Sequence, residues 1–270
     1  MQSPAFVVLS LVALLAAIVD GRLRDMDNPT DAHSPSVNTT GKVLQKNVQY
    51  ASGSIPAGDC LPVEYYFTDK DNKLWRKDQG KDKLVKIADN TRSAFTAWDD
   101  SVWSVDQEGT PSRFHFNGSL EKVPNSDKKF LTIAPVSFVE AYAISTDGDP
   151  YRYVAGKWIL LDAGSDKKTL SSIGVGMDGS VIAGSRKNIK IFAFDHGTQK
   201  FKPYEINGFG GDIYDADHVI VVKDKDFNVK AKSGGKWTEL KEKCQRTSAF
   251  SADQFYCTNP NGDVLLVHYP

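Results

Sequence analysis

Charge of one sign is the first thing this chain lacks: 33 Lys and Arg stand against 34 Asp and Glu, a net charge of −1. So balanced a surface sets up no long-range field for a polyanion or an anionic bilayer, and neither nucleic acid nor a membrane surface is an expected partner. Cysteine is scarce. The three residues Cys60, Cys244 and Cys257 form no C-x-x-C pair, which removes the usual thiolate zinc sites. The five histidines, His33, His115, His196, His218 and His268, show no i, i+2 or i+4 pairing, so no metal is expected. No serine occupies G-x-S-x-G, and no catalytic signature or cofactor fingerprint stands in its proper context, so a non-catalytic protein without cofactor is the expectation.

Long apolar runs are missing too, with one exception at the N-terminus. Ala5 to Val19 (AFVVLSLVALLAAIV) is too short to span a bilayer comfortably and reads as the core of a secretory signal peptide over residues 1–21. Val19 and Gly21 supply the small residues at −3 and −1 of a cut after Gly21; an uncleaved anchor is the alternative. Residues 22–40 are rich in Asp, Asn, Pro, Ser and Thr, too poor in large apolar groups to bury themselves, and read as a flexible leader. The mature protein is therefore expected outside the cell, where disulfides persist. With three cysteines one is left over. Cys244 and Cys257 flank a single predicted hairpin and are the favoured pair; Cys60 with either of them is the competitor.

What the chain does have is repetition. Six segments share the order apolar run, tight turn, apolar run: Val63-EYYFTDKDNKLWRK, Asp100-SVWSVDQEGTPSRFHF, Glu140-AYAISTDGDPYRYV, Gly179-SVIAGSRKNIKIFAF, Asp217-HVIVVKDKDFNVKAK and Asp253-QFYCTNPNGDVLLVH. Their starts are separated by 37, 40, 39, 38 and 36 residues. Strand-type units at a period near 40 predict an all-β, six-bladed β-propeller of four-stranded antiparallel blades over residues 41–270, because one such sheet cannot bury its faces alone. In the second unit the strands read SAFTAW, SVWSVD, SRFHF and SLEKVP, with the turn Asp106-Gln107-Glu108-Gly109 between the middle two. Outer strands recur as Lys83-LVKIA, Gly156-KWILLDA, Lys200-FKPYEI and Gly235-KWTELK. The sixth unit ends at Val264-LLVHYP without an outer strand, while Gly41-KVLQKNV has that strand's opening and precedes the first unit. The N-terminal strand is thus predicted to complete the last blade and close the ring, hiding two sheet edges. An open sheet solenoid is the competing architecture.

Two of these motifs carry a family resemblance. Gly156-Lys157-Trp158 and Gly235-Lys236-Trp237, with Val102-Trp103-Ser104-Val105-Asp106 followed by Gly109, resemble the tectonin repeats of tectonin and tachylectin-type lectins. Ser104 and Asp106 stand where that pattern has Gly and Asn, and the other five units replace its Trp with Tyr66, Ala143, Ile182, Ile220 and Tyr256. The resemblance implies a six-bladed, non-catalytic binder of glycans or microbial glycoconjugates.

Other motifs dissolve on inspection. Gly174 to Gly179 satisfies G-x-G-x-x-G but precedes a strand-type run, so a turn is expected there and not a dinucleotide site. The acidic stretches Asp69-Lys70-Asp71-Asn72 and Asp224-Lys225-Asp226 alternate oxygens as a Ca²⁺ site would, yet each includes a lysine and lacks a closing glutamate, so β-turns are expected. Asn38 and Asn117 are N-glycosylation acceptors. Stacking on a sugar ring requires an aromatic face beside polar groups, which nominates Trp75, Trp98, Trp103, Tyr142 and Tyr214 as ligand-binding candidates, against the alternative that they pack between blades. Three functions compete: a lectin, an extracellular protein-interaction propeller using one ring face, and a propeller hydrolase with a central site.

Overall fold

The computed structural model describes residues 42–53, 64–78, 83–97, 99–115, 119–124, 127–164, 167–176, 179–185, 187, 190–204, 213–216, 219–224, 226–233, 236–251 and 254–268. They form six four-stranded antiparallel sheets, and no helix occurs among them. Blade one comprises β2 (Val48–Gly53), β3 (Glu64–Asp69), β4 (Leu74–Asp78) and β5 (Leu84–Ala88). Blade two comprises β6 (Thr91–Thr96), β7 (Val102–Asp106), β8 (Pro111–Phe114) and β9 (Glu121–Lys122). Blade three comprises β10 (Phe130–Ser137), β11 (Glu140–Ser145), β12 (Pro150–Val154) and β13 (Lys157–Leu160). Blade four comprises β14 (Ser172–Val175), β15 (Val181–Ser185), β16 (Lys190–Asp195) and β17 (Lys200–Tyr204). Blade five comprises β18 (Ile213–Ala216), β19 (Val219–Lys223), β20 (Asn228–Ser233) and β21 (Lys236–Lys243). Blade six comprises β22 (Arg246–Ser251), β23 (Gln254–Thr258) and β24 (Val264–His268), and its fourth strand is β1 (Lys42–Gln45).

The N-terminal strand does close the ring. Lys42 pairs with Leu266, Val43 with Leu265 and Gln45 with Val264, so β1 covers the edge that β24 would otherwise expose. The innermost strands β2, β6, β10, β14, β18 and β22 each touch the next and form the wall of the axis.

The core is a set of wedges between blades. Tyr66, Leu74, Ala94, Val102 and Phe114 fill the seam of blades one and two, while Trp103, Phe130, Ile133, Ala141 and Tyr153 fill the next. Tyr142, Ile144, Ile173, Phe192 and Phe194 join blades three and four. Val221, Val229, Phe255 and Val267 join five and six, and Tyr65, Phe67, Tyr256 and Val264 join six and one. Successive strand residues point to opposite faces, so Tyr65 and Tyr66 serve different seams, as do Val102 and Trp103. With both faces buried, the second strands read as unbroken apolar runs instead of alternating ones.

The repeated turn between second and third strands has a repeated chemistry. The first residue's side chain caps it: Asp69 Oδ1 accepts the amides of Asp71 (2.9 Å) and Lys73 (3.0 Å), and Asp224 Oδ1 those of Asp226 (2.8 Å) and Asn228 (3.0 Å). Asn259 Oδ1 does the same for Asn261 and Asp263, Asp106 for Thr110, and Ser145 Oγ for Asp149. At the five such turns among the described residues the fourth residue has positive φ: Asn72, Gly109, Gly148, Phe227 and Gly262. At each of them the carbonyl of that residue accepts a backbone N–H from the next blade, as in Thr91 to Asn72 (2.7 Å), Phe130 to Gly109 (2.8 Å), Cys244 to Phe227 (3.0 Å) and Val48 to Gly262 (2.9 Å). Each hairpin is thus tied to its neighbour. The acid-rich stretches are turns, and Gly174–Gly179 closes a hairpin between β14 and β15, where Gly179 donates to the carbonyl of Gly176 at 2.9 Å.

Cys244 and Cys257 form the disulfide expected of them. It lies in the seam of blades five and six, both residues being fully buried. Cys60, Asn38 and Asn117 lie outside the described residues, as do the signal peptide and the leader.

Candidate axial binding site

Among the described residues, three of the five aromatic candidates are placed: Trp103, Tyr142 and Trp75. Trp103 is 0% exposed: its ring meets Tyr153 edge-on at 5.3 Å and Trp158 at 6.4 Å, and its Nε1–H donates to the carbonyl of Ser137 across the seam at 2.9 Å. Tyr142 is 2% exposed, set edge-on to Phe194 of blade four. Burial pushes its hydroxyl pKa up to about 12. Trp75 is half-buried and spends its Nε1–H on Asp69 Oδ2 at 2.7 Å, bracing the blade-one turn. Trp98 and the side chain of Tyr214 lie outside the described residues. Trp103 and Tyr142 are therefore wedge residues with no ring face open to a ligand. The physical reason is that both faces of an inner-blade strand are covered, so an aromatic on either face meets a neighbouring blade before it meets solvent.

A more open aromatic group sits at the same seam as Trp103, beside the turn between β10 and β11. The exposed His115 ring stacks on Phe138 at 3.9 Å, and the Arg113 guanidinium lies 4.1 Å from the same ring. Arg113 also donates to the carbonyl of Phe138 and pairs with Glu121 at 2.8 Å, so the group is held by its own contacts.

A polar concavity lies on the propeller axis, at the end where second-to-third-strand turns converge. It is a funnel of about 870 Å³, within the ordinary range for a small-ligand site. Inner strands and the residues just before them supply most of its wall: Gln49 from blade one, Arg92 and Ser93 from blade two, Thr132 from blade three, Ser171 and Ser172 from blade four, Gln245 and Arg246 from blade six. The turns add Lys70, Asn72, Gln107 and Asn261 at the rim. Five primary amides, four hydroxyls and three cations thus face one volume. Among the described residues the wall holds no carboxylate, imidazole or thiol.

The wall is organised by bonds between blades. Gln107 of blade two donates from its side-chain amide to Asn72 Oδ1 of blade one at 2.9 Å. Gln49 donates to the carbonyl of Lys70 at 3.3 Å, and Arg92 donates to the carbonyls of Gln107 and Phe130, spanning blades two and three. Ser93 is only 8% exposed and its Oγ has no hydrogen-bond partner.

Chemically this wall offers hydrogen-bond donors and acceptors to a polar molecule. Amides present donor and acceptor together, hydroxyls do both through one atom, and the cations only donate. Proton transfer would need a group that titrates near neutral pH, and the described wall offers none; a serine without a base beside it is not an activated nucleophile. Among the described residues no cluster of three or more His, Cys, Asp or Glu is placed to hold a metal ion. The axial residues escaped the sequence analysis, which weighed aromatics. Their signal was present as polar residues opening four of the six inner strands: Gln49, Arg92-Ser93, Ser171-Ser172 and Gln245-Arg246.

Neither a protein-family model nor a curated protein matches the sequence. Solved structures do match in fold. YCF48 bound to D1 peptide superposes with a TM-score of 0.59 at 13% identity, over 87% of this chain and 99% of that one. A catalytically inactive virginiamycin B lyase from Staphylococcus aureus with quinupristin gives 0.58 at 10% identity, over 86% and 99%. The WD40 β-propeller domain of Doa1 gives 0.59 at 18% identity, over 81% and 78%. At these identities the likeness is one of architecture.

Proposed function

We propose that this protein is an exported, non-catalytic binding propeller that takes a carbohydrate in its axial funnel. The observation that carries the reading is the funnel wall: amides and hydroxyls from five blades converge on one cavity, the donor and acceptor pattern that a polyhydroxylated ligand requires. Membership of the tectonin-type lectins belongs to the same proposal and rests on the Gly156-Lys157-Trp158 and Val102-Trp103 motifs. It differs from the sequence expectation in its stoichiometry, because one axial site replaces several sites between blades. Export is supported by the N-terminal apolar run and by a disulfide between Cys244 and Cys257, which an oxidising compartment maintains. Among the described residues no helix is long and apolar enough to cross a membrane.

The test is a glycan array probed with the folded, disulfide-bonded protein, followed by titration calorimetry on any hit. One saccharide bound per chain, weakened by Gln245→Ala, is the expected result. Binding of several equivalents per chain would return the site to the seams, and a folded protein that binds no saccharide would end the carbohydrate reading. A second reading, recognition of an extended peptide along the axis, draws on the structural likeness to YCF48 with its D1 peptide. Side-chain amides also pair with peptide backbone, so a peptide library is the matching assay.

A further inference from the structure

Blade three breaks a rule that the other blades keep. The inner strands run away from the funnel, so the chain passes from first to second strand at the opposite end of the ring. In sequence, five of the six segments that make this passage contain Asp and none contains Lys or Arg. Between β10 and β11 the segment is instead Phe138-Val139, where so short a turn ordinarily takes Gly, Asn, Asp or Ser. Val139 is 62% exposed, the most exposed large apolar side chain described, and the exposed His115 ring lies on Phe138 next to it. The turn is nonetheless held. The Phe138 N–H donates to Asp99 Oδ2 at 2.8 Å, the Phe138 carbonyl accepts from the Arg113 guanidinium, and the Ser137 carbonyl accepts the Trp103 Nε1–H at 2.9 Å, all from blade two. The Val139 N–H donates to Ser137 Oγ at 3.3 Å. An apolar tip whose backbone groups are spent inside the protein has little conformational freedom left to lose on contact.

The charge beside the tip is negative. Asp99 takes its hydrogen bonds from the amides of Phe138 and Ser101 and from the Ser101 hydroxyl, neutral donors that leave its charge in place. Asp100 sets a second carboxylate next to it; partial burial, and then the Asp99 charge, hold the Asp100 carboxyl above its ordinary value, the reverse of what a paired cation would do. Arg113, the basic group that touches the turn, is already paired with Glu121 at 2.8 Å. We infer that the Phe138-Val139 turn is a docking point for a partner protein, and that the partner presents an apolar side chain flanked by Lys or Arg. Charge complementarity selects this occupant: the apolar group packs on Val139 and the His115–Phe138 stack, and a neighbouring cation answers Asp99 and Asp100. The turn lies at the other end of the ring from the funnel, so the inference does not depend on the funnel being a carbohydrate site.

Fluorescence anisotropy with three labelled peptides tests this: Lys-Arg-Leu-Phe-Arg-Lys, the same peptide with Ser-Ser at its centre, and the same peptide with Glu for every Lys and Arg. The first is expected to bind about tenfold more tightly than either of the others, with affinity falling severalfold between about 50 and 300 mM salt as charges are screened. Asp100→Asn keeps a residue that accepts the left-handed backbone found there (φ 60), and should weaken the first peptide about three- to fivefold. Val139→Ser, at an exposed position, should weaken it by about as much. Asp99 anchors the turn, so its replacement would mix folding with binding and it is not the residue to change first. Gln245→Ala in the funnel should change nothing. Unfolding midpoints of all variants show whether a loss is one of binding or of folding. Equal affinity for the first two peptides would leave charge alone at work and overturn the apolar tip. Equal affinity for the first and third, full binding by both folded variants, a loss in Gln245→Ala, or failure of all three peptides would each overturn the docking point. A dimer of the protein alone in sedimentation, abolished by Val139→Ser, would give the surface to a second copy of this chain and overturn the basic partner.

Discussion

Replacing Trp103 tests whether the large aromatics of this protein pack or bind. The ring is fully buried in the seam of blades two and three, with Tyr153 and Trp158 edge-on to it and the Arg113 guanidinium 5.5 Å from its centre. Truncation of a buried Trp to alanine costs about 3–5 kcal/mol. Losing the edge-to-face contacts and stranding the Ser137 carbonyl brings the total to the upper end, about 4–6 kcal/mol. For a domain of this size each kcal/mol lowers the midpoint by about 2–4 °C, so Trp103→Ala should unfold about 10–20 °C earlier. Trp103→Phe keeps a ring in the wedge and removes the Nε1–H, leaving mainly the cost of the unpaired carbonyl, about 1–3 kcal/mol. Midpoints come from calorimetry, and ligand affinity is measured on the same samples well below them. Unchanged affinity with a lowered midpoint is the packing outcome. A midpoint within 2 °C of the parent together with lost binding would refute the reasoning, since the ring would then have to face a ligand.

Four further outcomes follow from the same geometry. Removing residues 42–46 should destabilise the domain and promote association through the uncovered edge of β24, whereas removing 22–40 should leave the midpoint unchanged; calorimetry and light scattering on both truncations decide it. Reducing the Cys244–Cys257 disulfide, which closes a short loop with a sequence separation of 13, should cost about 2–3 kcal/mol in denaturant unfolding, and peptide mapping of the oxidised protein should recover those two cysteines linked. Gly109→Ala should cost clearly more than Gly156→Ala: both glycines have positive φ, but an added Cβ at Gly109 lies 3.0 Å from the backbone N and O of Phe130, while at Gly156 it meets open space. That leaves about 1–2 kcal/mol at Gly156 for the left-handed backbone alone, and equal losses would mean that the turn does not press on the next blade. Burial raises Tyr65 and Tyr142 to about 12, above the ordinary tyrosine value near 10. Because the folded state holds these protons more firmly, their contribution is complete below pH 10 and is lost as pH climbs toward 12, which phenolate absorbance recorded alongside unfolding should show as a coupled transition.

The local instructions of this propeller were legible residue by residue. Period, blade number and strand order came from apolar runs broken by turns. Asp69, Asp106, Ser145, Asp224 and Asn259 are turn-capping residues whichever fold surrounds them, because the bonds they make are to amides two to four positions on. Ring closure was legible too, as a strand without a partner at one end of the repeats and a blade lacking one at the other. Hairpin spacing favoured the Cys244–Cys257 pair over either pairing with Cys60, and the tertiary structure decided it. Which way a side chain faces was another matter. Trp103 and Tyr142 each look like a sugar platform in a string of letters; only when six sheets stand radially do both faces of a strand become interior. The funnel is tertiary for the same reason, since Gln49, Arg92, Ser172 and Arg246 are far apart in the chain, and it is the convergence of separate inner strands on one axis that sets their polar ends against a common volume.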